Sequence, residues 1–279
     1  MFKATVEGLA IYPVKGFKGI AIEQAELTHL GIKNDRQWMI VNPKYQFVTQ
    51  RQFPQMALME TQLDDDRLIL SWNGDQFEIP MLYQGDPSLI KEAVVWKNQC
   101  KVLDEGNAVS EWLTQHLKTP WPVRLVRMHP EFTRWVDQSD KLMKPGAQVS
   151  TAFADGFPFL VANQASLDAL NQQIGKSLRM NRFRPNIVVS GIPAFSEHRL
   201  TWLESDKIKI HLQYPCERCV VTTIEQETAF KDPSMQPLKV LTEINPMPNK
   251  AAAAFGQNAS LSQGVGEILA VGDSVYFTE

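Results

Sequence analysis

The sequence predicts an α+β fold that is mostly β: an N-terminal β-barrel followed by a second β-barrel unit with a few helices. Three observations carry this. Short runs rich in β-branched residues recur along the chain, with glycine and proline between them. One pair of runs, DDDRLILSWNGDQFEIP, is joined by Asn73-Gly74, a dipeptide suited to the positive φ of a tight hairpin. Only two windows place apolar residues at helical spacing.

Taken in order, VEGLAIYPV and IAIEQAELTHLG read as strands, and DRQWMIVNPKYQFVTQRQFP as two strands joined at Asn42-Pro43. With the Asn73-Gly74 hairpin, so many short strands suggest a barrel or sandwich. A helix is expected over 108–117, with Asn107 as N-cap and Val109, Trp112, Leu113 and Leu117 on its apolar face. VRLVRM reads as a strand and 130–150 as a loop. A second helix is expected over 165–178, capped by Asn163 or Ser166, with Leu167, Leu170, Ile174 and Leu178 on one face. NIVVSG, DKIKIHLQY, VVTTIE and GEILAVGDSVYF then return to strands. In the second of these, Ile208, Ile210 and Leu212 alternate with Lys209, His211 and Gln213, giving one buried and one wet face. AAAA at 251–254 reads as a helical or loop piece. There is no internal repeat.

Bulk properties narrow the function classes. The 279 residues are 44% hydrophobic and 21% charged, enough to bury a core without staples. A net charge of −3 argues against a partner that is a nucleic-acid polymer, whose binding needs a basic surface. Three cysteines are too few for a secreted disulfide framework and fit a reducing cytosol. MFKATVEGLAIYPVKG lacks the apolar core of a signal peptide. No run approaches the roughly 18 apolar residues of a membrane span. A cytoplasmic protein with no membrane partner is expected.

The chemistry concentrates in YPCERCVVTTIE, which holds Cys216 and Cys219. A structural zinc site needs about four ligands, yet Cys100 is isolated and the five histidines form no closely spaced pair. A thiol–disulfide switch usually starts a helix, whose dipole lowers a thiol pKa, whereas VVTTIE reads as a strand. Two small buried hydrophobes at a strand end remain an open reading of the pair. Cations near strand ends and turns add a further signal. Lys15 precedes Gly16, and Arg36, Arg51, Arg182, Arg184 and Arg218 are spread along the chain. Arginine suits bidentate phosphate contacts, so this set suggests an anionic ligand.

The stretches IYPVKGFKG, DRQWMIV, TQRQ, FADGFPFLV, ASLDALN, NRFRPNIVVSG, PCERCVVTT, FGQN and VGDSVYF, in this order, resemble the MOSC proteins. The likeness is to the branch with an N-terminal β-barrel, which includes the mitochondrial amidoxime-reducing components and the bacterial proteins that detoxify N-hydroxylated purines. RFRPN and C-x-R-C-x-x-T-T carry the most specificity. The resemblance implies an N-terminal MOSC β-barrel domain over 1–95 and a MOSC domain over 96–279. It implies a molybdenum cofactor, a molybdopterin complex, whose metal is bound by Cys219 and whose pterin and phosphate lie among Lys15, Gly16, Arg36, Asp155, Gly156, Phe157, Arg184, Asn186, Glu217, Arg218 and Asn258. Asn186 and Asp155 would pair with pterin nitrogens, and Cys216 would pack beside the ligand. This chain has Gly16 and Glu217 where relatives often have serine, and Asn258 where some have tyrosine.

The activity so implied is reduction of small N-hydroxylated compounds, hydroxylaminopurines or amidoximes, at the metal held by Cys219. Three cysteines cannot supply the four thiolates of a plant-type iron–sulfur cluster. The electrons are therefore expected from a separate donor protein of ferredoxin or flavoprotein type. A non-enzymatic cofactor or sulfur carrier binding the same pterin, and a disulfide switch using both cysteines, are the alternatives.

Overall fold

The computed structural model describes residues 1–137 and 148–279. Its centre is a closed seven-stranded barrel. Around the ring run Phe2–Ile11, Ile187–Ser190, Phe159–Asn163, Ala254–Gln263, Lys209–Glu217, Trp202–Glu204 and Ser274–Thr278. The first strand closes the ring by pairing antiparallel with two others, Val6 opposite Val189 on one side and Lys3 opposite Tyr276 on the other. Ile187–Ser190 and Phe159–Asn163 are the parallel pair, and α2 (Gln164–Ile174) makes the crossover between them. Alternate residues point inward. Leu9, Ile11, Val161, Val189, Ile210, Leu212 and Phe277 form a shared core, so both ends of the chain fill one interior.

A second sheet runs in the order Lys91–Val95, Asn98–Asp104, Arg124–Met128, Trp38–Val41, Val14–Lys15. The three-stranded meander Glu60–Leu63, Arg67–Trp72, Asp75–Pro80 and helix α1 (Asn107–Leu117) supply the apolar partners of this sheet. Leu68 and Leu70 of the meander meet Val109, Leu113 and Leu117 of α1 in one buried cluster with Val14 and Ile40. The expected hairpin turn at Asn73-Gly74 forms, with φ of 51° and 89° at the two residues. The fold is mostly β with few helices, as expected.

Several expectations need correction. VVTTIE is not a strand: Val220–Thr223 is a 3-10 turn. The Thr222 hydroxyl donates to Cys219 O at 2.9 Å and the Thr223 hydroxyl to Val220 O at 2.7 Å, so local bonds override β-branching. Gly106 is the N-cap of α1, and Asn107 is already helical. Helix α2 stops at Ile174, because Gly175 takes the left-handed conformation that ends helices. Its cap is Asn163, whose side chain accepts from the Ala165 N–H. After Pro43 there are only isolated bridges, at Gln46 and Phe47, where a full strand was expected. Ala254 of the AAAA segment begins a strand. In the region read as a loop, Arg134–Trp135 pairs with Ser150–Thr151, and 138–147 lie outside the described residues.

Candidate functional site

The second sheet meets the barrel at a cavity built from residues far apart in the chain. It is lined by Lys15, Gly16, Arg36, Asp155, Gly156, Phe157, Arg184, Asn186, Arg218, Cys219 and Asn258 among the residues singled out above. Cys216 and Arg51 line it too. Glu217 does not. It ends the Lys209–Glu217 strand pointing away, with its carboxylate 2.6 Å from Lys250 Nζ. A carboxylate beside a bound anion would be unfavourable, and the Lys250 pair draws this one off.

The cations are held by backbone carbonyls and by one another's supports. Arg36 and Arg184 both sit at positive φ, 50° and 56°. A left-handed non-glycine residue costs roughly 1 kcal/mol, a strain that clusters at functional sites. Arg36 pairs with Asp35, which is almost fully buried and also accepts the Tyr12 N–H at 2.8 Å. Its second nitrogen reaches Arg184 O at 3.1 Å. Arg184 donates to Phe17 O at 2.8 Å. Both guanidiniums pack on the ring of Tyr12, their central carbons 4.5 and 4.2 Å from its centroid. The Tyr12 hydroxyl donates to Pro185 O at 3.1 Å, fixing the ring. Arg218 donates to Phe183 O at 2.8 Å and contacts Cys216 Sγ at 3.0 Å.

Charge compensation is incomplete. Among the described residues no carboxylate lies within ion-pair distance of Arg184, Arg218 or Arg51. One terminal nitrogen of Arg184 (Nη2) and Nε of Arg218 are buried without a hydrogen-bond partner. Burial pulls Arg184 down to about 10, with Tyr12 opposing and Arg36 adding to the fall, so it stays cationic at neutral pH. Unpaired buried donors on cations are costly. Burial likewise pushes the Cys216 thiol up against the pull of Arg218. Cys219, by contrast, is exposed.

Lys15 and Asp155 close the other side. Lys15 Nζ donates to Phe153 O at 2.7 Å and to Asp155 Oδ1 at 2.5 Å. Burial lowers the Lys15 amine and Asp155 offsets part of that. Confinement works against ionisation of Asp155, yet the Lys15 ammonium, the Trp96 indole N–H and Arg36 outweigh it and hold the carboxyl well below its usual range. Gly16 carries φ of 87°, and a Cβ there would lie 2.7 Å from Met56 Cε. Glycine is the fitting residue at this turn.

Two of the implied site residues make close contacts of their own within the fold. Asn186 Oδ1 accepts from Arg36 at 3.0 Å and from Leu160 N at 3.2 Å, while its amide donates to Ala10 O at 3.2 Å. Its polar atoms orient Arg36 more than they face a ligand. Asp155 is tied to Lys15 and Trp96 at the cavity mouth. Tyr12, Asp35 and Trp96 were not anticipated. Tyr12 lies within IYPVKG and Asp35 beside Arg36, so adjacency to a candidate cation was the available signal.

A thiol among part-buried arginines, where a closed barrel meets a second β unit, defines a two-part MOSC architecture. The sequence matches the MOSC N-terminal beta barrel domain over residues 3–120 and the MOSC domain over residues 148–276. The chain belongs to the MOSC-domain family, in the branch that contains the amidoxime-reducing components. It is 32% identical over 283 residues to mitochondrial amidoxime-reducing component 1 of Homo sapiens, covering 98% of this chain and 82% of the relative. Mitochondrial amidoxime reducing component 2 of Bos taurus is 32% identical over 284 residues, with the same coverage. Component 1 of Danio rerio is 29% identical over 279 residues, covering 97% of this chain and 84% of its own. Among the described residues no helix is long and apolar enough to cross a membrane, and no cluster of three or more His, Cys, Asp or Glu could hold a metal alone.

Proposed function

We propose that the cavity binds the molybdenum cofactor and that the protein reduces small N-hydroxylated compounds with electrons from a separate donor protein. One observation carries this: Arg36, Arg184, Arg218 and Lys15 converge on one cavity with an exposed thiol, Cys219, and among the described residues no carboxylate pairs with Arg184 or Arg218. The residues fit the group. Arg184 and Arg218 put uncompensated positive charge on the cavity wall for a phosphate, and Gly16 lets the backbone approach closely. Cys219 offers a soft ligand of the kind such a metal takes. A single exposed thiol could not hold a metal by itself, which favours a metal that arrives with its own organic ligand. When bound, the group supplies a metal centre able to exchange two electrons with an N–O bond.

The chain's own contribution is orientation and electrostatics. Tyr12 and Asn186 hold the two strained arginines toward the anion. Lys15 and Asp155 set a neutral pair at the mouth. The overall change consumes two electrons and two protons per N-hydroxyl group and releases the amine or amidine and water. The names of the relatives support amidoximes as one substrate class; hydroxylaminopurines and a cytoplasmic setting are part of the same proposal.

The test is expression in a host that makes the cofactor, followed by elemental analysis and reduction of benzamidoxime with a chemical electron donor. Wild type should carry molybdenum and reduce the substrate. Cys219→Ser should lose reduction, while Cys216→Ser keeps most of it. Zinc in place of molybdenum would overturn the proposal. Equal loss from both cysteine variants would instead support a disulfide switch.

A further inference from the structure

A second cleft, of about 600 Å³, adjoins the arginine cavity and shares Asp155 and Gly156 with it. Its walls are of a different kind. Phe47, Trp96 and Tyr214 line it, with Lys97, Asn98, Arg134 and Asp137 between them. Trp96 stands at the junction. Its indole N–H donates to Asp155 Oδ1 at 3.0 Å, its ring lies 5.1 Å from that of Phe47, and the Arg51 guanidinium packs on it at 4.6 Å. Across the junction Phe157 of the first cavity meets Tyr214 of the second, ring edge to face, at 5.5 Å. A Cβ added to Gly156 would meet no atom within 4 Å, so the backbone at that point is not packed against a neighbour.

The backbone supports a purpose for Trp96. It lies between Lys91–Val95 and Asn98–Asp104, at φ of 55°, where glycine or asparagine is usual, and it is 45% exposed. A bulky residue at positive φ is strained, and the Asp155, Phe47 and Arg51 contacts that offset this strain leave half of the indole exposed on the cleft. The volume lies within the usual range for small-molecule sites, roughly 300–1,000 Å³. Aromatic faces interleaved with charges suit a flat ring that bears a polar group.

We propose that this cleft holds the body of the substrate, an aromatic or heteroaromatic ring, with its N-hydroxylated substituent directed past Asp155 and Gly156 toward Cys219. This rests on the reductase reading above. Trp96 is thereby a specificity-determining residue that favours ring-bearing substrates over small aliphatic ones. The test compares kcat/KM for benzamidoxime and acetamidoxime in the molybdenum-loaded enzyme. Trp96→Asn suits the left-handed backbone and should fold. It should lower the benzamidoxime-to-acetamidoxime ratio at least tenfold, mainly through KM, and Tyr214→Ala should act in the same direction. Titration of benzamidine against acetamidine, followed by NMR, gives an independent binding readout. Wild type should prefer benzamidine, and Trp96→Asn should lose that preference. An unchanged kinetic ratio and an unchanged binding preference overturn the cleft assignment. If wild type reduces neither amidoxime, the reductase reading fails, and the benzamidine titration still decides the cleft.

Discussion

Among the described residues no carboxylate stands beside the Arg184 guanidinium, which sits in the cavity wall on a left-handed backbone with one buried nitrogen unpaired. The uncompensated charge opposes folding of the ligand-free chain, and an anion bound in the cavity offsets it. Inorganic phosphate should therefore raise the Tm of cofactor-free protein. At ~100 times its Kd, a ligand of the native state adds roughly 2.7 kcal/mol. Arg184→Gln should lose this response, and its Tm without phosphate should fall little, because the cation it removes was uncompensated. Chloride at equal ionic strength serves as the control. Equal phosphate shifts in wild type and variant would remove Arg184 from the anion site. Much at this scale was legible. Lys15, Arg36, Arg184 and Arg218 stood beside turns and strand ends on an acidic chain. Glu217 was misplaced, because its Lys250 partner lies in another segment and nothing local marks that pair.

Helix α2 gives the clearest element-scale case. Asn163 caps its first turn, and the same side chain donates to Pro193 O at 2.8 Å and to Glu197 at 3.3 Å. Glu197 is fully buried and also accepts from the Ser166 hydroxyl at 2.9 Å. Asn163→Ala removes a cap worth ~1 kcal/mol and takes a donor from a buried carboxylate at a further ~1–3 kcal/mol. Urea unfolding should show a loss of about 2–4 kcal/mol on that sum; a loss under ~0.5 kcal/mol would mean the cap and the Glu197 contact are replaced on relaxation. The cap was legible because an Asn followed by an amphipathic run has a local cause. The 3-10 turn at Val220–Thr223 was not. Four β-branched residues favour a strand, but backbone bonds from Thr222 N to Cys219 O and from Ile224 N to Val221 O make the turn, reinforced by the threonine hydroxyls and by Arg182 donating to Thr222 O at 3.3 Å. Trp96 was passed over for a related reason: WKN between two β runs is a turn signal, but tryptophan hides it.

At the scale of the molecule, the two matched domains are joined by the first strand. Phe2–Ile11 supplies Leu9 and Ile11 to the barrel core and pairs with Ile187–Ser190 and Ser274–Thr278. Arg124–Met128 lies instead in the second sheet, beside Trp38–Val41. A fragment starting at residue 121 should therefore lack a barrel strand and leave two edges open. We expect it to show no cooperative thermal transition, whereas a fragment that folds and melts cooperatively would show the barrel to be self-sufficient. Strand content was readable from composition and turns; ring closure was not, since it depends on pairings between the ends of the sequence that leave no local trace. The same pairing has a consequence during synthesis. Phe2–Ile11 must wait for Ser274–Thr278, far downstream in the chain, before both its edges are covered. Until then it presents an unpaired edge prone to mispairing, and the long chain separation slows ring closure. The barrel thus cannot close until residue 278 has emerged, and a nascent chain stalled before residue 274 should depend on chaperones that shield β edges.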